Sequence, residues 1–196
     1  QVRSSGSGVL ALSGAAAWRA VAAPGPAPLP SQSLVAHWTF DELVEGTCAD
    51  AGGTGLTARV RGGASLHEGV FGSALGLTGP SAIRVQASEA FTDLPALTIS
   101  AWLLPTELSG YREVFRKEDG DRRILFAVQN DGRSLSLGLQ TEGTGYLELD
   151  APIDAAMLLD GQWHHVAGTY DGKQMTVYLD GLAVGTSHRD AELAPG

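Results

Sequence analysis

The chain has one cysteine, Cys48, among 196 residues. That excludes an intrachain disulfide and any metal site built from cysteines alone, and it leaves Cys48 as a small buried thiol or as an exposed one for intermolecular pairing. Basic residues are also scarce, 13 against 22 acidic, for a net charge of -9. The first 32 residues hold only Arg3 and Arg19, so the remainder carries 11 basic and 22 acidic residues, or -11. A surface of that sign repels phosphate backbones, and no basic cluster alternates with aromatics, which argues against nucleic acid as a partner. Long apolar runs are missing: Val9 to Trp18 is too short to span a bilayer. No segment after the first few dozen residues keeps apolar side chains at helical spacing, and no Gly-x-Ser-x-Gly, His-Glu-x-x-His or phosphate-cradling loop is present.

What is abundant is turn chemistry, with 26 glycines, and period-two alternation. Gln162 to Gly185 shows both. His165, Ala167 and Thr169 alternate with Val166, Gly168 and Tyr170, and Met175, Val177 and Leu179 alternate with Thr176 and Tyr178. The pairs Asp171-Gly172 and Asp180-Gly181 separate the runs. Asp-Gly between alternating residues marks a type I′ hairpin, since that turn needs φ > 0 at both central positions. The same alternation predicts strands at Leu34 to Phe40, at Leu56 to Arg61 ending on Gly62-Gly63, at Ala74 to Leu77 and at Ile83 to Val85. Leu97 to Leu104 reads as a central strand stopped by Pro105, after a crossing loop at Phe91 to Pro95. Glu113 to Arg116, Arg123 to Gln129, Leu135 to Leu139 and an edge piece at Tyr146 to Leu149 follow. About twelve short strands and almost no helix after residue 33 describe an all-β, two-sheet antiparallel sandwich. Trp38, Phe40, Ile99, Trp102, Phe115, Phe126, Leu137, Val166 and Val177 are the expected core.

Trp163-His164-His165-Val166-Ala167-Gly168-Thr169-Tyr170-Asp171-Gly172, then Val177-Tyr178-Leu179-Asp180-Gly181, resembles the signature of laminin-G-like, concanavalin A-like jelly-roll domains. Val35 to Glu42, Gly72 to Leu77 and Leu97 to Trp102 resemble further landmarks in the correct order, so the likeness spans about residues 33 to 190. It implies a jelly roll, and much less about function. The likeness is incomplete at the C-terminal end, because nothing after His188-Arg189-Asp190 resembles the family's last two strands. Ala191 to Gly196 is expected to be a tail, and the chain a piece of a longer protein.

The domain division is 1–32 and 33–196. Within the first part, Val9 to Trp18 and Ala20-Val21-Ala22 look either like a signal peptide or like a segment of an upstream domain, and Pro24 to Pro30 is a polyproline linker. The second part is the laminin-G-like sandwich.

Chemistry on this frame is sparse. Laminarinase-type hydrolases of the same architecture place carboxylates as Glu-x-Asp-x-x-Glu on one strand. Here Glu148-Leu149-Asp150-Ala151-Pro152-Ile153 lacks the third carboxylate and carries a proline, so no catalytic residue is assigned. His164 and His165 are neighbours on a strand and point to opposite faces, with His165 expected inward and His164 exposed. Trp163 anchors the strand start or stacks on a sugar. The resemblance also raises calcium, for which Asp41, Glu42 and Asp50, with carbonyls near Gly52 and Gly53, are the candidate ligands; their alternative is turn formation. Gly79-Pro80-Ser81-Ala82-Ile83 stands where pentraxin-like members carry acidic or amide ligands. The expected function is a non-catalytic binding module of a secreted or cell-surface protein. Its expected ligand is carbohydrate, with extracellular protein ligands next. The alternatives are an accessory domain of a larger extracellular enzyme, such as a glycoside hydrolase, and a structural spacer.

Overall fold

The computed structural model describes residues 11–12, 34–86, 88–91, 94–119, 122–188 and 191–193. The signal-like run beyond Ala11 and Leu12, the linker at Pro24 to Pro30, Thr92 and Asp93 of the crossing loop, and Ala194 to Gly196 lie outside the described residues.

Among the described residues twelve strands follow one another: β1 Ala11–Leu12, β2 Thr47–Cys48, β3 Ala58–Glu68, β4 Ser73–Val85, β5 Leu97–Leu103, β6 Arg112–Asp119, β7 Arg122–Gln129, β8 Ser134–Thr141, β9 Gly145–Pro152, β10 His164–Tyr170, β11 Gln174–Leu179 and β12 Leu182–His188. One α-helical turn, α1 Ala155–Leu158, is capped by the Asp154 carboxylate accepting from the Ala156 amide. Among the described residues the only other helix is a 3-10 turn at Glu89–Phe91.

A five-stranded sheet in the order β1-β5-β10-β11-β12 faces a four-stranded sheet in the order β6-β7-β8-β9. All the neighbours are antiparallel except β1, which runs parallel to β5. Beside the two facing sheets of the expected sandwich, β2-β3-β4 form a further three-stranded sheet. Its Ala58 belongs to the common core, and Ile83 and Val85 pack against that core.

The inner faces follow from alternation. Ile99 and Ala101 on β5, Val166 and Tyr170 on β10, and Met175, Val177 and Leu179 on β11 meet Phe126 and Val128 on β7 and Leu135, Leu137 and Leu139 on β8. Gly168 leaves room for this meeting: a Cβ there would stand 3.1 Å from Phe126 Cδ2 and 3.2 Å from Leu137 Cδ1. Trp38 lies in the same core and donates from Nε1 to the Leu56 carbonyl at 2.6 Å, giving its indole the partner a buried N–H requires. Phe115 is half-buried against the core, and Cys48 is buried, which pushes its thiol pKa up.

Several local expectations change. Leu34 to Phe40 turns Ala36, Trp38 and Phe40 inward as the alternation requires, yet it forms no ladder; its polar backbone is served by the Asp50 loop instead. Gly62-Gly63 does not end β3. The strand passes through it with a register shift, Gly62 at φ 86°, and β4 is one strand across Gly79-Pro80 rather than two. Ser81 Oγ donates to the Gly63 carbonyl at 2.7 Å and holds this irregularity together. β6 runs past the expected end at Arg116 to include Lys117, Glu118 and Asp119. Asp180 (φ 51°) and Gly181 (φ 81°) make the turn their dipeptide predicts. Asp171-Gly172 does not: among the two only Gly172 has positive φ, and the Asp171 carboxylate instead accepts from the amides of Lys173 and Gln174. The segment after His188 is also more than a tail, since Leu193 bridges to Thr141 and the Glu142 amide donates to the Glu192 carbonyl at 2.8 Å.

Candidate functional site

The four-stranded sheet turns its apolar side chains to the core and, by the same alternation, a polar set outward. Its registers place Glu113, Ala127, Ser136 and Asp150 in one row across the sheet, Arg116, Leu125, Gly138 and Glu148 in the next, and Glu118 and Arg123 on β6 and β7 beside Gln140 and Tyr146 on β8 and β9. Ala127, Ser136 and Gly138 on the two middle strands are smaller than Glu113, Arg116, Glu148 and Asp150 on the outer two, so at these rows side-chain length outlines a shallow trough. Ser136 at its floor is 0% exposed.

Tyr146 makes this face unusual. Its ring lies across Gly138, where a Cβ would stand 1.9 Å from the phenol oxygen and 2.6 Å from Cζ. Only glycine opposite Leu125 permits an aromatic to lie down on the sheet at that point. The Arg123 guanidinium covers the ring, its Cζ 4.9 Å from the ring centroid. Tyr146 Oη and Arg123 Nε are buried polar atoms without a hydrogen-bond partner, and among the described residues they are the only two. An unpaired buried donor costs about 1 to 3 kcal/mol, so two such atoms side by side call for a reason. Burial and then the nearby Glu148 charge push the Tyr146 phenol up to about 12, keeping it a neutral hydroxyl. Around it, Gln129 Nε2 donates to Glu148 Oε1 at 2.5 Å, Ser136 Oγ to Asp150 Oδ1 at 2.5 Å, and Ser134 Oγ and Ser136 Oγ lie 3.2 Å apart. Arg116 pairs with Glu113 at 2.7 Å and with Glu118. The unmet hydroxyl and guanidinium groups and the pre-oriented carboxylates form a surface that can hydrogen-bond sugar hydroxyls, and the Tyr146 ring becomes a stacking face when the Arg123 guanidinium swings off it.

The expected calcium ligands are placed differently from one another. Asp50 Oδ1 accepts from the amides of His37 (2.7 Å) and Gly52 (2.8 Å), and Oδ2 from the amide and hydroxyl of Thr54 (both 2.7 Å). Burial raises its pKa, and these bonds, that of His37 first, outweigh burial and hold the carboxyl below the usual range. Asp41 Oδ1 accepts from the Ser73 amide at 2.9 Å, tying the opening segment to the start of β4, and Glu42 is exposed. Among the described residues no three His, Cys, Asp or Glu side chains are grouped so as to hold a metal.

The two histidines exchange the places expected of them. Val166, Gly168 and Tyr170 set the inward parity of β10, so His164 shares their side and is 6% exposed. His165 faces outward beside Trp102, the ring centroids 5.2 Å apart. Trp102 stands opposite His165 and next to the inward Ala101, which takes it out of the core. His164 Nδ1 lies 2.8 Å from Asp180 Oδ2 and Nε2 lies 3.0 Å from Asp160 Oδ1, so both nitrogens meet acceptors only when the ring is an imidazolium. Burial lowers its pKa, and the Asp180 and Asp160 carboxylates overcome burial and hold it above the ordinary 6.5. Because the folded value is the higher, the stabilisation is complete below the unfolded value and is lost as pH rises through the folded one. The melting temperature is therefore expected to fall as pH rises above 6.5, and His164→Gln to flatten that slope; a parallel slope in the variant would assign it elsewhere.

A family model described as the concanavalin A-like lectin/glucanases superfamily matches residues 77–195. The chain belongs to this superfamily. A search of the curated proteins gave no match. Among solved structures, domain 4 of AbnA, a GH43 extracellular arabinanase from Geobacillus stearothermophilus in complex with arabinotriose, is similar with a TM-score of 0.62 and 21% identity. That likeness covers 83% of this chain and 78% of that one. The binding domain of Botulinum neurotoxin DC in complex with SialylT is similar with a TM-score of 0.57 and 18% identity, over 76% of this chain and 39% of that one. The binding domain of Paraclostridial Mosquitocidal Protein 1 has a TM-score of 0.56 and 14% identity over 76% of this chain. This superfamily member spans 38% of that last chain. At these identities the likeness is one of fold.

Of the trough residues, only Glu148 and Asp150 stand out in the sequence, as an incomplete catalytic pair. Tyr146, Gly138, Arg123, Gln129, Ser134 and Ser136 went unremarked as a site. The available signal was the polar half of the alternation opposite Leu135, Leu137 and Leu139.

Proposed function

We propose that the chain is a non-catalytic carbohydrate-binding module of a secreted or surface protein, and that the sugar lies in the trough of β6 to β9. The observation that carries this reading is Tyr146 lying flat over Gly138, with its phenol oxygen and Arg123 Nε buried and unpaired. A pyranose or furanose ring that takes the place of the Arg123 guanidinium over Tyr146 offers a C–H face to the tyrosine and hydroxyls to the two unmet groups and to Glu148, so binding removes a cost that the free domain carries. The similar arabinanase domain, solved with arabinotriose, supports trying that sugar first. It also favours the accessory role in a larger extracellular enzyme as the second reading.

The test is calorimetry on the purified chain with arabinotriose and a panel of neutral oligosaccharides. Tyr146→Ala is expected to weaken binding about tenfold or more, as a lost stacking contact with its hydrogen bond does. Gly138→Ala is the sharper variant. Its methyl group would occupy the space of the phenol oxygen, the free end of a side chain that can swing away. Stability should therefore change by less than about 1 kcal/mol while binding falls as in Tyr146→Ala. Binding unaffected by either variant would remove the trough from consideration. A calcium arm belongs to the same experiment: a melting temperature raised by millimolar calcium, and less so in Asp41→Asn, would mark Asp41, Glu42 and Asp50 as an ion site. An unchanged melting temperature would leave them as turn residues.

A further inference from the structure

The trough has fewer cations than carboxylates. Arg116 is engaged by Glu113 and Glu118. Arg123 is held over the Tyr146 ring with its Nε 4.0 Å from Glu118 Oε1. The registers of the four strands place no other Lys, Arg or His at an outward position, and Lys117 stands opposite the inward Ile124. Against these two guanidinium groups the same face carries four carboxylates, Glu113, Glu118, Glu148 and Asp150, of which the last two accept hydrogen bonds from the neutral Gln129 and Ser136. Neither Glu148 nor Asp150 is in an ion pair among the described residues, unlike Glu113 and Glu118.

We infer that the trough selects uncharged saccharides and rejects those bearing carboxylate or sulfate groups, an inference that rests on the carbohydrate-binding reading above. A uronate or sialate set down on Tyr146 would bring its negative charge beside Glu148 and Asp150, and the one cation at the ring, Arg123, is already shared with Glu118. A like-charge contact in a partly buried site is strongly unfavourable. A neutral ring meets none of this, because its hydroxyls can donate to both carboxylates and accept from Arg123 Nε and Tyr146 Oη. The charge of -9 carried by the whole chain acts in the same direction at longer range.

The experiment compares arabinotriose and other neutral oligosaccharides with galacturonate oligomers and a sialylated trisaccharide, by calorimetry on the full chain at low and at high salt. Neutral ligands are expected to bind about 30-fold or more tightly than anionic ones at low salt, and the gap should narrow as salt screens the carboxylates. The double variant Glu148→Gln with Asp150→Asn should narrow it further at low salt. Anionic sugars bound as tightly as neutral ones would overturn the selectivity while leaving the trough a sugar site. Binding of neither class, or binding indifferent to Tyr146→Ala, would overturn the underlying reading and the selectivity with it.

Discussion

Truncating Phe126 to alanine is expected to cost about 3 to 5 kcal/mol of folding stability, the upper range for an aromatic removed from a core. The reason is the company it keeps. Phe126 is 0% exposed and lies over Gly168 of the opposite sheet, within van der Waals reach of where a Cβ would be. A cavity closes cheaply only if a neighbour can move into it, and Gly168 has no side chain to offer. Leu137 on the adjacent strand is fixed by its register with Phe126, so the void persists. Chemical denaturation read by tryptophan fluorescence measures the loss. Adding Gly168→Ala to the truncated protein should recover part of it, because the methyl group then has space that the parent denies it. A midpoint unchanged from the parent would contradict the inward orientation of β7.

Gly185→Val is expected to destabilise by about 1 to 3 kcal/mol or more, through overpacking rather than cavity formation. Here the two sheets approach along their edges: a Cβ on Gly185 of β12 would stand 2.6 Å from Ala151 Cβ on β9 and 3.4 Å from Val177 Cγ2. Ala151 is buried and its methyl group cannot rotate out of the way, so the strands themselves must separate. For a chain of this size the melting temperature should drop by about 2 to 4 °C per kcal/mol. Ala151→Gly in the same protein should restore most of the loss, since it empties the colliding position. The contrast with Gly138 is instructive, because there the obstructed atom is the free end of a tyrosine and the expected consequence is lost binding with little lost stability.

Much of the frame was legible in the residues. The alternation of Leu135, Leu137 and Leu139 with Ser134, Ser136 and Gln140 already divides β8 into a core side and a polar side. The Asp180-Gly181 pair specifies a turn whose positive φ angles are those observed. Errors arose where a rule had to be applied beyond its own segment. Gly62-Gly63 was a reasonable place to end a strand, but β4 runs opposite on both sides of it and the backbone bulges instead of stopping. His164 and His165 lie on opposite faces as neighbours on a strand must, with His164 the inward one. Parity says only that neighbours differ, and it was Asp160 and Asp180, reaching His164 from a loop and from the turn after β11, that made its burial sustainable.

What the sequence by itself determined is the class of the fold and the two-sided character of each strand, because both depend on a period of two that a single segment contains. Only the tertiary structure decided which polar residues act together. Tyr146 lies over Gly138 because β9 pairs with β8 in one register and no other, and Arg123 reaches the same ring because β7 lies on the far side of β8. A shift of one residue in either pairing would leave every strand's pattern intact and dissolve the trough. Such contacts depend on distances between chain segments, and a linear pattern carries no term for them.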